Sequence, residues 1–250
     1  MNTIAESTSL LSNKSLSGKT VLIFGGTSGI GLATAVQAKA AGASVIVVGS
    51  DPARAEQAAT EHGLAWRAAD ITNRTAVEAA LRDVGHVDHL VLMAGSFVAG
   101  KILEAEVGYL RRAFDERIWA ALDVIRSLQQ RLDEHASVTF ISGLLADRPS
   151  AWGTAVLAAA SAAMEALARG LALELAPRRF NTLSPGTTDT PLLSRTLGAA
   201  YDGYIADLDA KLPLKKIVPV QQAAAAVMFL IQNDFMNGET LHIDGGQRLV

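Results

Sequence analysis

Residues 20–31 read TVLIFGGTSGIG, an apolar β-type run that leads into a glycine-rich turn and then into a helical pattern. Gly25 suits the tight turn, Gly29 lets the backbone approach an anion, and Gly31 allows a helix to pack closely on a strand. The N-terminus of that helix offers N–H donors and a positive dipole to the anion. This junction predicts a dinucleotide site; the alternative is a glycine turn without a ligand. The candidate contacts in the turn are Gly25, Thr27, Ser28, Gly29, Ile30 and Gly31.

Seven β-rich runs alternate with helical patterns along the chain. The runs are TVLIF (20–24), SVIVV (44–48), LAWRA (64–68), HLVLM (89–93), SVTFI (137–141), FNTLS (180–184) and ETLHI (239–243). The helical patterns cover residues near 30–41, 52–62, 73–83, 104–132, 151–176 and 220–232. Strict alternation with Val- and Ile-rich strands predicts an α/β fold, a Rossmann-type doubly wound parallel sheet of about seven strands with helices on both faces.

Composition bounds the class of protein. The chain has 250 residues, half of them apolar, and its net charge is −3 with no basic stripe, so nucleic acid is not expected as a partner. Cysteine is absent, which excludes disulfides and thiolate chemistry, and we expect no metal site. The uncharged stretches are too short or too interrupted to span a membrane. We expect a flexible leader over residues 1–17, one domain over 18–250, and a cytoplasmic location.

Several motifs in register resemble the short-chain dehydrogenase/reductase family. They are the glycine turn, Asp70-Ile71 after the third strand, Ala94-Gly95 after the fourth, Ser142 after the fifth, ALARGLALELAP (166–177), SPGTTDTP (184–191) and GETLHIDGG (238–246). The resemblance runs from about residue 17 to the end. It implies a nicotinamide cofactor, with Asp70 near adenine, Ser142 in the catalytic serine position and Thr190 near the nicotinamide half. The further cofactor contacts that it implies are Ser50, Asp70, Ile71, Ala94, Gly95, Pro185, Gly186, Thr188 and Thr190.

Two catalytic residues of that family are missing. In the family a Tyr protonates the substrate carbonyl, and a Lys four residues later lowers the pKa of the Tyr and holds the ribose. The downstream match places Leu157 and Ser161 at those two positions, and neither can do this chemistry. The chain has only three tyrosines and no lysine between Lys101 and Lys211, so no shift of register restores the pair. We therefore interpret residues 156–167, VLAAASAAMEAL, as a small-residue packing helix.

Arg117 occupies the position of the family's catalytic Asn, in FDERIWAAL (114–122). A guanidinium is costly to bury without a partner, so Arg117 should face either the cofactor cleft or a carboxylate, such as Asp115, Glu116 or a residue of another chain. In the cleft, Arg117 and Ser142 would hold a carbonyl, an oxyanion or a carboxylate. A replacement proton donor would come from Tyr201, Tyr204, Asp147 or water, and Trp152 would line the pocket or pack in the core.

The end of the second strand bears on the choice of cofactor. Gly49 and Ser50 stand where an acidic residue would repel a 2′-phosphate, so we expect NADP(H) in preference to NAD(H). Ser50, Thr27 and Arg54 are the candidate phosphate contacts. Asp51 lies close by and favours NAD(H), because its carboxylate would repel a 2′-phosphate.

The remaining expectations concern the lid, assembly and function. Residues 187–216 lie beyond a strand's carboxyl end and should form a substrate lid. Helices 104–132 and 151–176 and the C-terminus should form homodimer or homotetramer contacts. We expect an atypical oxidoreductase that transfers hydride between NAD(P)(H) and a small carbonyl or alcohol, with Ser142 and Arg117 replacing the usual residues. The alternatives are an NAD(P)-binding protein without redox turnover (a sensor, partner subunit or scaffold) and dehydration or isomerisation in the same cleft.

Overall fold

The computed structural model describes residues 15–250. The predicted leader therefore lies mostly outside the described residues. Its end at residue 17 is corrected, because Leu16 is 2% exposed and its N–H donates to the carbonyl of Ala41 at 2.8 Å. Leu16 belongs to the folded domain, since its side chain is buried in an apolar cluster that includes Val21 and Ala38.

A seven-stranded parallel sheet forms the centre of the protein, as predicted. Its strands are β1 (Thr20–Phe24), β2 (Ser44–Gly49), β3 (Ala65–Ala68), β4 (Val87–Leu92), β5 (Leu132–Ile141), β6 (Arg179–Pro185) and β7 (Thr240–Ile243). Their order across the sheet is β3-β2-β1-β4-β5-β6-β7. The order reverses between β1 and β4, where open α/β sheets bind ligands at the carboxyl ends of the strands.

Nine α-helices lie among the described residues and cover both faces of the sheet. They are α1 (Gly29–Ala40), α2 (Pro52–His62), α3 (Arg74–Ala80), α4 (Val107–Phe114), α5 (Ala120–Ser127), α6 (Ala155–Glu174), α7 (Pro191–Leu197), α8 (Tyr201–Lys211) and α9 (Val220–Gln232). One apolar cluster joins the sheet to α3, α5 and α6, and another joins it to α1 and α9. The doubly wound architecture is thereby confirmed.

The predicted helix over 104–132 is wrong at both ends and in the middle. A π-helical turn, Asp115–Trp119, separates α4 from α5, and the helical stretch ends at Ser127. Leu132 instead begins β5 and pairs with Val87 of β4, so sheet pairing overrides the apolar periodicity there. The helix predicted over 151–176 is shorter, because residues before Ala155 form a turn and Pro177 lacks the N–H needed to continue it.

The predicted lid folds into α7 and α8, which are joined through Gly198. Every residue of both helices keeps part of its surface exposed, whereas Leu212 just after α8 is 1% exposed and anchors the segment. Apart from Leu212, the segment adds little to the buried core, and its role as a lid stays a prediction.

Helix α6 is long and apolar enough to cross a membrane by length and composition. Its apolar face is buried in the protein, where Met164, Ala168 and Leu171 pack in the core beneath β5 and β6. The composition of α6 is thus that of a core helix.

Candidate active site at the carboxyl ends of the strands

The glycine turn after β1 is closely packed against its neighbours. A Cβ on Gly25, whose φ is +75°, would lie 2.7 Å from the N atom of Ala94. A Cβ on Gly31 would lie 2.2 Å from the carbonyl oxygen of Gly25. Side chains are therefore excluded at both positions, and the start of α1 sits against the turn and the end of β4.

The start of α1 is open to an anionic ligand. Ser28 is the N-cap residue, but its side chain makes no hydrogen bond to the first-turn N–H groups. A Cβ on Gly29 would lie 3.4 Å from the Thr190 methyl, so the segment that leads into α7 begins directly over the turn. The Thr190 hydroxyl caps α7 by accepting from the N–H of Leu193 at 3.3 Å. The glycine cradle and the uncapped N-terminus fit the pyrophosphate of a dinucleotide.

The end of β2 lies beside the same turn. A Cβ on Gly49 would lie 2.6 Å from the Thr27 methyl, so Thr27 fills this space. Ser50 is exposed. Asp51 caps α2 by accepting from the Arg54 N–H at 3.1 Å, and the Arg54 guanidinium lies 3.2 Å from the same carboxylate. The negative charge of Asp51 is thus partly offset where a 2′-phosphate would approach.

Asp70 and Ile71, both predicted as cofactor contacts, have different surroundings in the structure. Asp70 is exposed, and its Oδ1 accepts from the N–H and the hydroxyl of Thr72 at 2.9 and 2.8 Å, which stabilises its own turn. Ile71 lines a small pocket with Ala94, Arg117 and further residues of β4, β5 and α6.

Arg117 lies in the π-helical turn and faces the end of β4. A Cβ on Gly95, whose φ is +151°, would lie 3.3 Å from the Arg117 Cζ, so the guanidinium lies against Gly95. It donates to the carbonyl oxygens of Ser96 at 3.0 Å and Ala113 at 3.4 Å. Burial lowers the pKa of Arg117, which remains charged at neutral pH. The guanidinium is therefore held by backbone carbonyl oxygens beside Gly95, and its role toward the cofactor cleft stays a prediction.

Glu116, one of the carboxylates considered as a partner of Arg117, pairs with Arg112 instead. Its carboxylate is 8% exposed and accepts from the N–H and the hydroxyl of Ser96, both at 2.6 Å, and from Arg112 at 2.7 Å. Burial alone would raise the pKa of Glu116, but these hydrogen bonds outweigh it and the pKa is lowered. The network anchors the loop after Gly95, and no motif pointed to it.

Ser142 follows β5, and its hydroxyl is engaged by α6. Its Oγ donates to Oε1 of Glu165 at 2.7 Å and lies 3.2 Å from the carbonyl oxygen of Ser161. Glu165 is partly buried. The sequence interpretation of this stretch as a packing helix alone is therefore incomplete, because α6 brings an acid to the serine. The available signal was that Glu165 is the first ionisable residue of α6.

The two positions that the resemblance assigns to Tyr and Lys are packed inside the protein. Leu157 is 3% exposed and lies in an apolar cluster with Val98 and Leu110. Ser161 is 4% exposed.

Two of the replacement donors considered from sequence, Tyr201 and Asp147, have other partners. The Tyr201 hydroxyl donates to Asp189 at 2.7 Å, which raises the pKa of Tyr201. Asp147 pairs with His242 at 3.1 Å. Tyr204 is 41% exposed, and Trp152 is 85% exposed, so the alternative that Trp152 packs in the core is wrong and its place in the pocket stays a prediction.

The loop after β6 is held by the C-terminal segment. A Cβ on Gly186, which follows Pro185, would lie 2.8 Å from Oε1 of Gln247. That oxygen accepts from the N–H of Thr187 at 2.8 Å, and the Thr188 hydroxyl donates to the Gly186 carbonyl at 2.9 Å. Gln247, which no sequence argument singled out, therefore positions the start of the lid.

One group of potential metal ligands lies at the amino ends of β4 and β5, on the side of the sheet away from the glycine turn. Within residues 15–250, the side chains of His86, Asp88 and Asp133 place ligand atoms within 4.8 Å of one another. Lys19 pairs with Asp88 at 2.7 Å, so one of the two carboxylates already has a cationic partner.

Known proteins resemble this chain in sequence over most of its length. A family model described as enoyl-(acyl carrier protein) reductase matches residues 25–248. The short-chain dehydrogenase/reductase ATR9 of Stachybotrys chlorohalonatus is 32% identical in an alignment 250 residues long, which covers 92% of this chain and 96% of the relative. The cyclic-di-GMP-binding biofilm dispersal mediator protein of Escherichia coli is 32% identical over 235 residues, with coverages of 91% and 96%.

Solved structures share the fold over nearly the whole chain. A small-chain dehydrogenase in complex with NADPH is 33% identical, with a TM-score of 0.80 over 93% of this chain and 99% of that chain. The match to the family model, residues 25–248, includes the glycine turn, Ser142 after β5 and most of the C-terminal segment. The chain belongs to the short-chain dehydrogenase/reductase family of oxidoreductases.

Proposed function

We propose that the protein is an atypical NADP(H)-dependent oxidoreductase that acts on a small carbonyl or alcohol, with Ser142 and Arg117 in place of the usual catalytic residues. The observation that carries the proposal is the glycine cradle, in which Gly31 and Gly25 exclude side chains beside an uncapped helix N-terminus. The nicotinamide, when bound, supplies or accepts the hydride. The residues of this chain bind it, orient the substrate and handle the proton.

The preference for NADP(H) rests on the end of β2. Ser50 is exposed beside the N-terminus of α2, and Arg54 lies against Asp51, the nearest acidic group. A 2′-phosphate would meet a hydroxyl, a helix N-terminus and a guanidinium there, which together favour a dianion. A small-chain dehydrogenase with the same fold was solved with NADPH.

Ser142 and Arg117 have complementary roles in this proposal. The Ser142 hydroxyl contacts the substrate oxygen. Arg117 supplies positive charge at the end of β4, where it stabilises negative charge developing on that oxygen. Loss of the usual general acid typically lowers a rate by about 10²- to 10⁴-fold, so we expect slow turnover on substrates that other members reduce quickly.

A direct test is rapid mixing of the NADPH-loaded protein with a panel of aldehydes and ketones, followed by loss of nicotinamide absorbance. The proposal expects hydride transfer to at least one member, and a marked loss of that rate in Ser142→Ala. Binding of NADPH without transfer to any member would overturn it.

A second candidate is cofactor binding without redox turnover. It is favoured by the buried Leu157 and Ser161 in α6 and by a relative named for binding cyclic-di-GMP. It expects NADPH binding, no hydride transfer, and a biological role that survives both Ser142→Ala and Arg117→Ala. Dehydration or isomerisation of an acid held by Arg117 is distinguished by mass spectrometry of a co-purified ligand.

We also propose a cytoplasmic homodimer or homotetramer. Exposed apolar side chains on α4, the adjoining π turn, α6 and the C-terminus include Val107, Trp119, Leu173 and Leu249. A second copy of the chain would cover them. Size-exclusion chromatography with light scattering should give twice or four times the mass of 26.2 kDa, and a monomer would contradict the assembly.

A further inference from the structure

The hydroxyl of Ser142 has one proton, and the distances to its two acceptors indicate which of them receives it. Oγ lies 2.7 Å from Oε1 of Glu165 and 3.2 Å from the carbonyl oxygen of Ser161. Both partners are acceptors, and the carboxylate is the closer and the stronger one. While Glu165 is ionised, the Ser142 proton points into α6, and the lone pairs of Oγ are left for the cleft.

This arrangement determines what Ser142 can do for a substrate. A hydroxyl that donates to a carboxylate can accept a hydrogen bond from an alcohol, but it has no proton left for a carbonyl oxygen. If Glu165 is protonated, the polarity reverses, because the carboxyl O–H donates to Oγ and the Ser142 O–H turns to the cleft.

We propose that Glu165 is a positioning residue that sets the hydrogen-bond polarity of Ser142, and that the ionised pair is arranged to accept the proton of an alcohol. The inference rests on the proposed oxidoreductase function and names the proton path that replaces the missing Tyr and Lys. The carboxylate reaches the substrate only through Ser142.

The proton and electron balance of the step is complete. In alcohol oxidation the C–H bond breaks and its hydride passes to the oxidised nicotinamide. The alcohol proton passes to Oγ of Ser142, and the original Ser142 proton passes to Glu165. The products are the carbonyl compound, the reduced nicotinamide and a protonated Glu165, which returns its proton to water. Carbonyl reduction is the reverse and must begin from protonated Glu165.

The neighbouring residues support a relay at this position. No tyrosine or lysine occurs in the sequence of α6, and Glu165 is the first ionisable residue along it. The carboxylate is partly buried, whereas Glu174, near the end of the same helix, is exposed. A shielded carboxylate interacts with a neighbouring hydroxyl more strongly than an exposed one does.

The first test compares the two reaction directions in Glu165→Gln. The amide keeps the shape but cannot take up the proton, so alcohol oxidation with NADP⁺ should fall by about 10²-fold or more. Carbonyl reduction with NADPH should fall by a similar factor, because the amide has no proton with which to replace the one that Ser142 gives to the substrate oxygen. Glu174→Gln is the matched control and should change neither direction. Unchanged rates in Glu165→Gln, or an equal loss of rate in Glu174→Gln, would overturn the proposal.

The second test needs no substrate. The chain has no cysteine, so Ser142→Cys introduces a single thiol. An anion beside it disfavours the thiolate, and a shift of one pKa unit changes the thiolate fraction tenfold. Iodoacetamide should therefore alkylate Ser142→Cys/Glu165→Gln about tenfold faster than Ser142→Cys alone, and Glu174→Gln should give no acceleration. Equal rates in all three proteins would overturn the pairing.

The two tests separate this inference from the proposed function. If no alcohol or carbonyl turns over in the wild type, the proposed function fails. The alkylation rates then still decide whether Glu165 controls Ser142.

Discussion

Replacing Gly31 with alanine is the perturbation that most directly probes the glycine turn. A Cβ there would lie 2.2 Å from the carbonyl oxygen of Gly25. Ordinary C···O contacts are about 3.3–3.6 Å, so α1 must retreat from the turn by about 1 Å. Since this oxygen belongs to backbone, no side chain can rotate away to relieve the overlap.

The expected change in the free energy of unfolding of Gly31→Ala is the sum of two opposing effects. In an unhindered helix, Gly→Ala stabilises by about 1 kcal/mol. Overpacking against backbone costs about 1–3 kcal/mol or more, and at Gly31 we expect this cost to exceed the gain. A net loss of about 1–2 kcal/mol corresponds to a fall in Tm of roughly 2–8 °C for a chain of this size. Because the N–H groups of α1 move away from the ligand, NADPH affinity should fall by about tenfold, or 1.4 kcal/mol.

Gly170→Ala is the matched control. Gly170 lies in α6, and a Cβ there would meet no atom within 4 Å, so the substitution should raise Tm by roughly 1–4 °C and leave NADPH affinity unchanged. Differential scanning calorimetry and NADPH fluorescence titration measure both quantities. The reasoning is refuted if Gly31→Ala is as stable as Gly170→Ala and binds NADPH as tightly as the wild type.

Two further predictions concern the end of β4. The lowered pKa of Glu116 means that its contribution to stability is present above its unfolded value of about 4.3 and is lost as pH falls through the lowered folded value. Glu116→Gln should therefore reduce the free energy of unfolding by about 1–3 kcal/mol at pH 7, with a smaller difference near pH 3, as measured by urea titration; a difference independent of pH would contradict this. Arg117→Ala should slow hydride transfer by about 10²-fold while NADPH affinity changes little, and an unchanged rate would exclude Arg117 from the reaction.

The architecture was predictable because its signals are local. The alternation of Val-rich runs with helical patterns predicted the parallel sheet, and the structure confirms it. The boundary at Leu132 was not predictable, since its pairing with Val87 depends on a contact 45 residues away along the chain. Periodicity alone cannot distinguish an apolar residue at the end of a helix from one that begins a strand.

The part of the candidate site that could be predicted from the sequence is the glycine turn, where the backbone itself would contact the ligand. Close approach at Gly25 and Gly31 follows from glycine at a strand-to-helix junction. The contact of Ser142 with Glu165 joins residues 23 positions apart and becomes visible only when α6 lies against β5. The roles of Ser142 and Arg117 in a reaction stay predictions until hydride transfer is measured.

Isothermal titration calorimetry of the wild-type protein with NADPH, NADP⁺ and NADH tests the central claim that the glycine turn binds a dinucleotide. The account predicts saturable binding of the nicotinamide nucleotides, tighter for NADPH than for NADH, and weakened in Gly31→Ala. Absence of binding heat and of any thermal shift with all three nucleotides would contradict it.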